Sequence, residues 1–557
     1  MIRQNEPVNC DVLIIGGGIA GLNAAIGAAD AGADVIVAEK ANTLRSGSGA
    51  TGNDHFQCYL PEVHGDDMAP IMKEMDEAQT GGCLDSYLTD KFLRLSAASV
   101  RDWDSWGIDM KPSGEYEFTG HAMPGRPRIF LKYAGHNQKK VLTEQAKKRG
   151  VKILNHTAQA EIITEGGRVT GSLCVDISED EPKIQVIRCK SLIIATGSTA
   201  RLYAPKAGGW MFNRAFCPAC AGNGRAAAYR AGARLINLDM LYAHAGPKNF
   251  NRCGKATWIG LYKDLNGKPV GHFVTKPTKE LGDITGDIWM GVFGYKYSKG
   301  EPVYFDCSET KQEDIDYMKW GLVEEGNTSL LDHMDKEGID LKKHMVEFTQ
   351  YEPMLIGRGI EIDEFAATNI AGLYAAGDEV GNFRADIAGA AVYGRVAGES
   401  ASLYAKTVPD IGEAEKSELV GERAAFYSEM LARGTDTGYA TWQEANVAIG
   451  QIMSDYAGID VRSEHLFLAG LTYLRRLQGK MQGSLSCGNS HDFLRCLEVM
   501  DLAQVGELVM MCANERKETR GRNNRVDFPF TNPLYNNRFL MIEQKDREPV
   551  LTWRNKR

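Results

Sequence analysis

No apolar run in these 557 residues approaches the length that spans a bilayer. The earliest apolar segment, VLIIGGG at 12–18, breaks into glycine after four residues. It predicts a first strand rather than the core of a signal peptide. Positive charge is also in short supply: 64 Lys and Arg against 73 Asp and Glu leave a net charge of −9. That balance argues against nucleic acid or an anionic membrane as partner, so any bound anion must be met by a local cluster of cations. The 12 cysteines lack the dense spacing of a secreted disulfide scaffold and the four-ligand run of an iron–sulfur cluster. They read as free thiols in a reducing cytoplasm. Only Cys217 and Cys220, in CPAC, stand close together, and they read as two small buried residues at the start of a helix. Internal repeats and low-complexity segments are absent.

Glycine, by contrast, is abundant at 60 residues, which favours tight turns and close backbone approach to a ligand. The composition, 43% hydrophobic and 25% charged, is that of a soluble globular chain long enough for two or three domains. Residues 10–40, CDVLIIGGGIAGLNAAIGAADAGADVIVAEK, predict a βαβ unit in which a second strand, Asp34–Ala38, ends on Glu39. The spacing is that of a dinucleotide fingerprint. Gly16 allows the tight turn, Gly18 lets a pyrophosphate approach the backbone, and Gly21 lets helix pack on strand. Ile19 and Ala20 open the helix whose N–H groups face the phosphates, while Glu39, followed by Lys40, is placed to accept from ribose hydroxyls.

Helical patterning follows over 66–110 and 136–149, then a strand, VKILN. Residues 158–176 and 183–197 predict antiparallel strands, and 222–233 a helix. Residues 240–345 are mixed, with KDLNGKPVGHF (263–273) as a hairpin. A small-residue helix follows AGLYAAGDE, the pattern is mostly helical from about 413, and the last thirty or so residues read as polar, aromatic and irregular. Two further strand-to-glycine junctions, LIIATGS (192–198) and GLYAAGDE (372–379), favour FAD over a nicotinamide cofactor. A single nicotinamide domain needs no third junction so distant, whereas a long FAD does. Ala195, Thr196, Gly197 and Gly377 then join its site, with Asp378 as the acid that meets the ribityl chain.

Together with GRVAG (394–398) and ETRGRNNRVDFP (518–529), these motifs resemble the fumarate reductase/succinate dehydrogenase flavoprotein superfamily over nearly the whole chain. The resemblance implies an α/β fold: a Rossmann-like FAD-binding domain of three-layer ββα form, an inserted α+β capping domain and a C-terminal helical domain. The implied boundaries are 1–238 and 351–412 for FAD binding, 239–350 for the cap, and 413–557 for the helical domain and tail. Members with covalent flavin carry a histidine after an Arg-Ser pair, where this chain has Gly47. The FAD is therefore expected to be non-covalent, embraced by Ser46, Gly47, Ser48, Gly49 and, a little further on, Asn53. Asn223 replaces the usual acid of a Gly-Asp-Gly motif.

The resemblance also implies a cationic clamp on an anionic substrate. His244 in YAHAGPKNF corresponds to one family histidine, and Arg384 to the arginine between the late strand and the last flavin helix. Arg252 and Lys255 are candidate proton donors, neither in perfect register, and His136 opens a helix where the family often has Gly-His. The second histidine of fumarate reductases is missing from YEPMLIGRGIE, where Arg358 is the only cation nearby. That loss brings the chain closer to the adenylylsulfate reductase flavoprotein branch. Shared marks are the flavin loop after RSG, the stretch Glu352-Pro353 to Gly357, and a cap tryptophan matching Trp258. FRADIAGAA replaces that branch's HKFSSGS, so a sister member with a different or modified small anionic substrate is implied. The implied chemistry is two-electron redox, with electrons from a separate ferredoxin-like iron–sulfur subunit. The aromatic, basic tail would suit docking of such a partner. Alternatives are the alpha subunit of an adenylylsulfate reductase proper, a stand-alone oxidase or dehydrogenase of L-aspartate oxidase type, and a non-catalytic electron-transfer subunit.

Overall fold

The computed structural model describes residues 1–76, 83–118, 127–206, 212–270, 296, 299–436 and 438–557, the side chains of 254 and 255 excepted. The apolar run at the start of the chain forms the strand Val8–Ile15, whose inner residues are fully buried. It lies inside a sheet, parallel to Val35–Glu39 on one side and to Lys183–Ile194 on the other. Burial on both faces is why these strands read as continuous Val/Ile runs rather than alternating ones. Lys152–Asn155 extends the parallel edge.

Lys183–Ile194 is the long element that joins two kinds of sheet. Its first half pairs antiparallel with Arg168–Asp176, which forms a hairpin with Thr157–Glu165. Its last three residues pair in parallel with Leu373–Ala375, so the late junction arrives beside the first. Three chain segments far apart in sequence thereby end at one edge of the sheet. Above that edge, the helices Ile19–Asp30 and Asp386–Ala405 pack against each other. Their approach is backbone to backbone: a Cβ on Gly394 would sit 2.4 Å from the Ala20 carbonyl oxygen, and one on Gly398 2.1 Å from that of Ala24. The GRVAG glycines therefore serve the contact between these helices.

A second core surrounds an antiparallel sheet of Ala245–Pro247, Val346–Gln350, Val303–Asp306 and Leu261–Lys263, with the helices Gln312–Glu324 and Thr328–Glu337. Trp258 is buried there, edge-on to Phe305 and Phe348, and its Nε1–H donates to the Cys253 carbonyl at 2.9 Å. It belongs to the core of this unit. The hairpin expected at 263–273 begins as predicted, with the Val270 N–H returning to the Tyr262 carbonyl at 2.9 Å, while 271–273 lie outside the described residues.

Toward the C-terminus the helices Trp442–Ala457, Glu464–Ser484 and Ser490–Glu515 pack on one another. The tail corrects the sequence reading. Arg538–Lys545 and Glu548–Asn555 form a hairpin that adds to Leu235–Ile236 and Gly359–Ile360 in a four-stranded sheet. Its two-residue turn places Asp546 and Arg547 at φ 50° and 67°. Such turns announce themselves in sequence through glycine, and here none is present.

Candidate active site

The gathered strand ends open onto a cavity of about 830 Å³. At one end Gly16, at φ 99°, turns so tightly that a Cβ there would lie 2.4 Å from the Ala195 carbonyl oxygen. Gly18 faces open space, with nothing within 4 Å of a Cβ. Gly21 is not on the cavity wall. A Cβ there would strike the Gly16 carbonyl oxygen at 1.8 Å, so its absence lets the helix begin under the strand. Glu39 lines the cavity while its carboxylate accepts from the Gly17 and Ala41 N–H groups at 2.7 and 2.8 Å. Lys139, buried and unremarked in the sequence, donates to the Gly17 carbonyl from behind the turn, and burial pulls its amine down to about 8.

All the other predicted cofactor residues line the same cavity: those of the fingerprint, 46–49, Asn53, 195–197, Asn223, Gly377 and Asp378. Thr157, Ala158 and Gln159 join the wall from the antiparallel hairpin. Lys40 donates from Nζ to the Ala219 carbonyl and pairs with Glu498 at 2.8 Å. Asn223 donates to Asp501 at 2.7 Å. Both acids come from the helix Ser490–Glu515, so acidic charge missing from the Gly-Asn-Gly motif stands next to it in space. Of the adjacent acids Asp378 and Glu379, only the first faces the cavity. Burial pushes the Asp378 carboxyl up to about 6 against the pull of Arg384 and Arg225. Glu379 is a buried strut that accepts from Thr196 Oγ1 and pairs with Arg225 at 3.3 Å.

At the opposite end the wall turns cationic. Arg384 is bound to Asp386 through Nε at 2.8 Å and Nη2 at 2.7 Å, and its guanidinium lies 4.0 Å from the centre of the Tyr242 ring. Arg522 lies over the same ring at 5.3 Å. Burial draws the Asp386 carboxyl upward, but Arg384 prevails and holds it below the usual carboxylate range. Arg358 donates from Nε to the Met240 carbonyl at 2.7 Å. His244 stacks on Phe216 and stands edge-on to Tyr242. His55 faces this region too, its Nδ1 paired with Asp54 Oδ1 at 2.5 Å.

Two sequence candidates fall away from the wall. His136 is mostly exposed and pairs with Glu324 at 2.6 Å, across the junction with the second core. Arg252 reaches the Ala215 carbonyl at 3.4 Å and Thr51 Oγ1 at 3.5 Å, because the short helical turn Asn251–Lys255 tucks it aside. The Lys255 side chain lies outside the described residues. Sequence reasoning missed Arg522, although its motif RGRNNR was in view, and His55, whose only signal was its place two residues after Asn53.

The FAD binding domain family matches residues 11–390, and the fumarate reductase flavoprotein C-terminal family matches residues 446–555. The chain belongs to the fumarate reductase/succinate dehydrogenase flavoprotein superfamily. Among curated relatives of this flavoprotein is a fumarate reductase (CoM/CoB) subunit of Methanothermobacter marburgensis, 25% identical over 97% of this chain and 98% of the relative. The L-aspartate oxidase of Yersinia pestis is also 25% identical, over 93% and 96%. The adenylylsulfate reductase structure from Archaeoglobus fulgidus shares the fold with a TM-score of 0.83 at 20% identity, covering 100% of this chain and 96% of that one.

The protein is thus an FAD-dependent oxidoreductase, and its own atoms fit the cofactor. Gly18 leaves the space a pyrophosphate needs, and Ser46 Oγ on the cavity wall is buried with no hydrogen-bond partner among the described residues. Gly47, at φ 81° beside Gly18, has no side chain with which to bond a flavin.

Proposed function

We propose that this flavoprotein carries out two-electron redox chemistry on a small anionic substrate, exchanging electrons through an iron–sulfur partner. The observation that carries the proposal is the convergence of Arg358, Arg384 and Arg522 with His55 and His244 on one end of the FAD cavity, in a chain of net charge −9. A bound FAD supplies the two-electron chemistry there. Arg384 offers a planar fork that matches a carboxylate or sulfate. Asp386 and Tyr242 hold that fork in place, so it stabilises developing negative charge without rearranging. His55, oriented by Asp54, and His244 are the proton-handling groups.

The iron–sulfur partner rests on the family resemblance and on the M. marburgensis relative being named as one subunit of its enzyme. The same reading sets the protein in a reducing cytoplasm. No helix among the described residues is long and apolar enough to cross a membrane.

The test is anaerobic. The bound flavin is photoreduced, and fumarate, adenylylsulfate and other unsaturated acids are added in turn while its absorbance is followed. Rapid reoxidation by one of them supports the reading, and failure with all of them overturns it. The L-aspartate oxidase likeness favours a second reading, in which oxygen or a quinone takes the electrons directly. Fast reoxidation by dissolved oxygen, with no response to a reduced ferredoxin-type protein, would select it.

A further inference from the structure

The CPAC cysteines are not at the start of a helix, as the sequence implied. Helix Asn223–Arg230 begins later, and the pair sits in the preceding turn. There the Cys220 N–H donates to the Cys217 carbonyl at 3.0 Å. Such an i to i+3 bond keeps the two α-carbons within about 7 Å, a separation that overlaps the span a disulfide bridges. Both residues line the FAD cavity. The Cys217 N–H donates to Ser48 Oγ at 3.1 Å, which ties the turn to the loop that runs beside Gly18. Cys220 Sγ would lie only 3.2 Å from a Cβ on Gly197, so the glycine of the ATG junction makes room for the sulfur.

The electrostatics of the pair are asymmetric. A hydrogen bond from Cys220 holds the Cys217 thiol down to about 5 against burial, aided by the Ala219 backbone, Arg252 and Lys40. Cys220 is pushed up by the same hydrogen bond and by burial. One sulfur ready as thiolate beside a second that keeps its proton is the arrangement thiol–disulfide chemistry uses. It also gives Arg252 a role, since this arginine lies off the cavity wall yet acts on Cys217.

We propose that Cys217 and Cys220 are a redox-active pair that exchanges two electrons with the FAD in the same cavity. In the oxidising direction the Cys217 thiolate and the Cys220 thiol form one S–S bond as the Cys220 S–H bond breaks, and the two electrons and one proton released pass to oxidised FAD. In the reverse direction the S–S bond takes two electrons and one proton from reduced FAD, and the Cys217 thiolate and the Cys220 thiol are restored. Each chain then stores four electrons rather than two. The proposal rests on the FAD site alone, so it stands or falls independently of the substrate.

The experiment uses the FAD-loaded full chain. Oxidised protein and anaerobically photoreduced protein, with no added thiol, are quenched in denaturant with iodoacetamide, and the 217–220 peptide is weighed. The expected result is an unlabelled peptide lighter by two hydrogens in the oxidised sample and two labels in the reduced one. In parallel, anaerobic dithionite titration should consume four electrons per FAD in the native protein and two in Cys217→Ser or Cys220→Ser. Equal labelling of both cysteines in the two samples, or a native titration that ends at two electrons, overturns the proposal. The labelling arm needs no variant, so a serine variant that fails to fold leaves the decision intact.

Discussion

Arg384 shows how one side chain is made into a fixed group. Asp386 binds it, the Tyr242 ring lies under it, and Gly357 leaves it room: at φ 63°, a Cβ on Gly357 would come 2.8 Å from both the Cβ and the Cδ of Arg384. Asp386 itself sits at φ 45° without being glycine, a conformation that costs about 1–3 kcal/mol and persists only where its surroundings demand it. Replacing Arg384 by Met should slow substrate-dependent flavin reoxidation by roughly 10²–10³-fold, with FAD content unchanged by absorbance. Gly357→Ala should act in the same direction by displacing that guanidinium. Asp378 gives a pH-dependent prediction. Its carboxyl titrates near 6 in the folded chain against 3.8 as its ordinary value, so the folded state binds the proton more tightly. Stability is therefore highest with this group protonated and falls as pH rises from about 4 through 6. Asp378→Asn cannot ionise and escapes that loss. Its advantage over the native apoprotein should grow between pH 5 and pH 8 toward a limit on the order of 3 kcal/mol, read as a widening gap in Tm. A gap that is flat with pH would refute this.

Among the elements, the helix Asp386–Ala405 carries the most. Its first turns supply Asp386, Ile387 and Ala390 to the cavity wall, and its Gly394 and Gly398 seat it on the fingerprint helix. A side chain at 398 would meet backbone, the Ala24 carbonyl oxygen at 2.1 Å and the Ala28 nitrogen at 2.8 Å, and backbone cannot swing aside. Gly398→Val should therefore destabilise by about 1–3 kcal/mol or more. It should also weaken FAD binding, since the cavity wall moves with the helix; thermal denaturation and a fluorescence titration with FAD check the two effects. The C-terminal helix Trp442–Ala457 depends on a different device. Thr441 and Glu444 form a reciprocal capping box, and Thr441→Ala should lower stability by about 1 kcal/mol without altering flavin absorbance.

At the scale of the molecule, the C-terminal helix Ser490–Glu515 is part of the cofactor site. Glu498, fully buried, pairs with Lys40, Arg201 and Arg495, and those cations hold its carboxyl far below the usual range despite burial. Removing the charge leaves three cations facing one another in low dielectric. Glu498→Gln should cost about 3–5 kcal/mol and release FAD more readily on gel filtration, because Lys40 lines the cofactor cavity. A variant as stable as the native chain would show that Lys40 and Arg201 find other partners. The terminal hairpin is a second such tie: Arg554 pairs with Asp85 and Glu361, joining the last strand to residues hundreds of positions earlier.

The sequence by itself determined the cofactor and the glycine-rich junctions of its cavity wall. Those features are local: a glycine at 16 or 18 is demanded by the turn and the space within a few residues, and strand-to-glycine junctions mark where a buried strand must stop. Asp378 was legible for the same reason. Which arginines and histidines line the cavity was decided by tertiary structure. Arg522 and His55 enter the cavity from segments more than four hundred residues apart, whereas Arg252 and His136 are drawn off by Ala215 and Glu324. Side-chain direction there follows from packing between distant elements, which no local pattern encodes. The tail hairpin, too, is stabilised by the sheet edge it joins, not by a turn signal of its own.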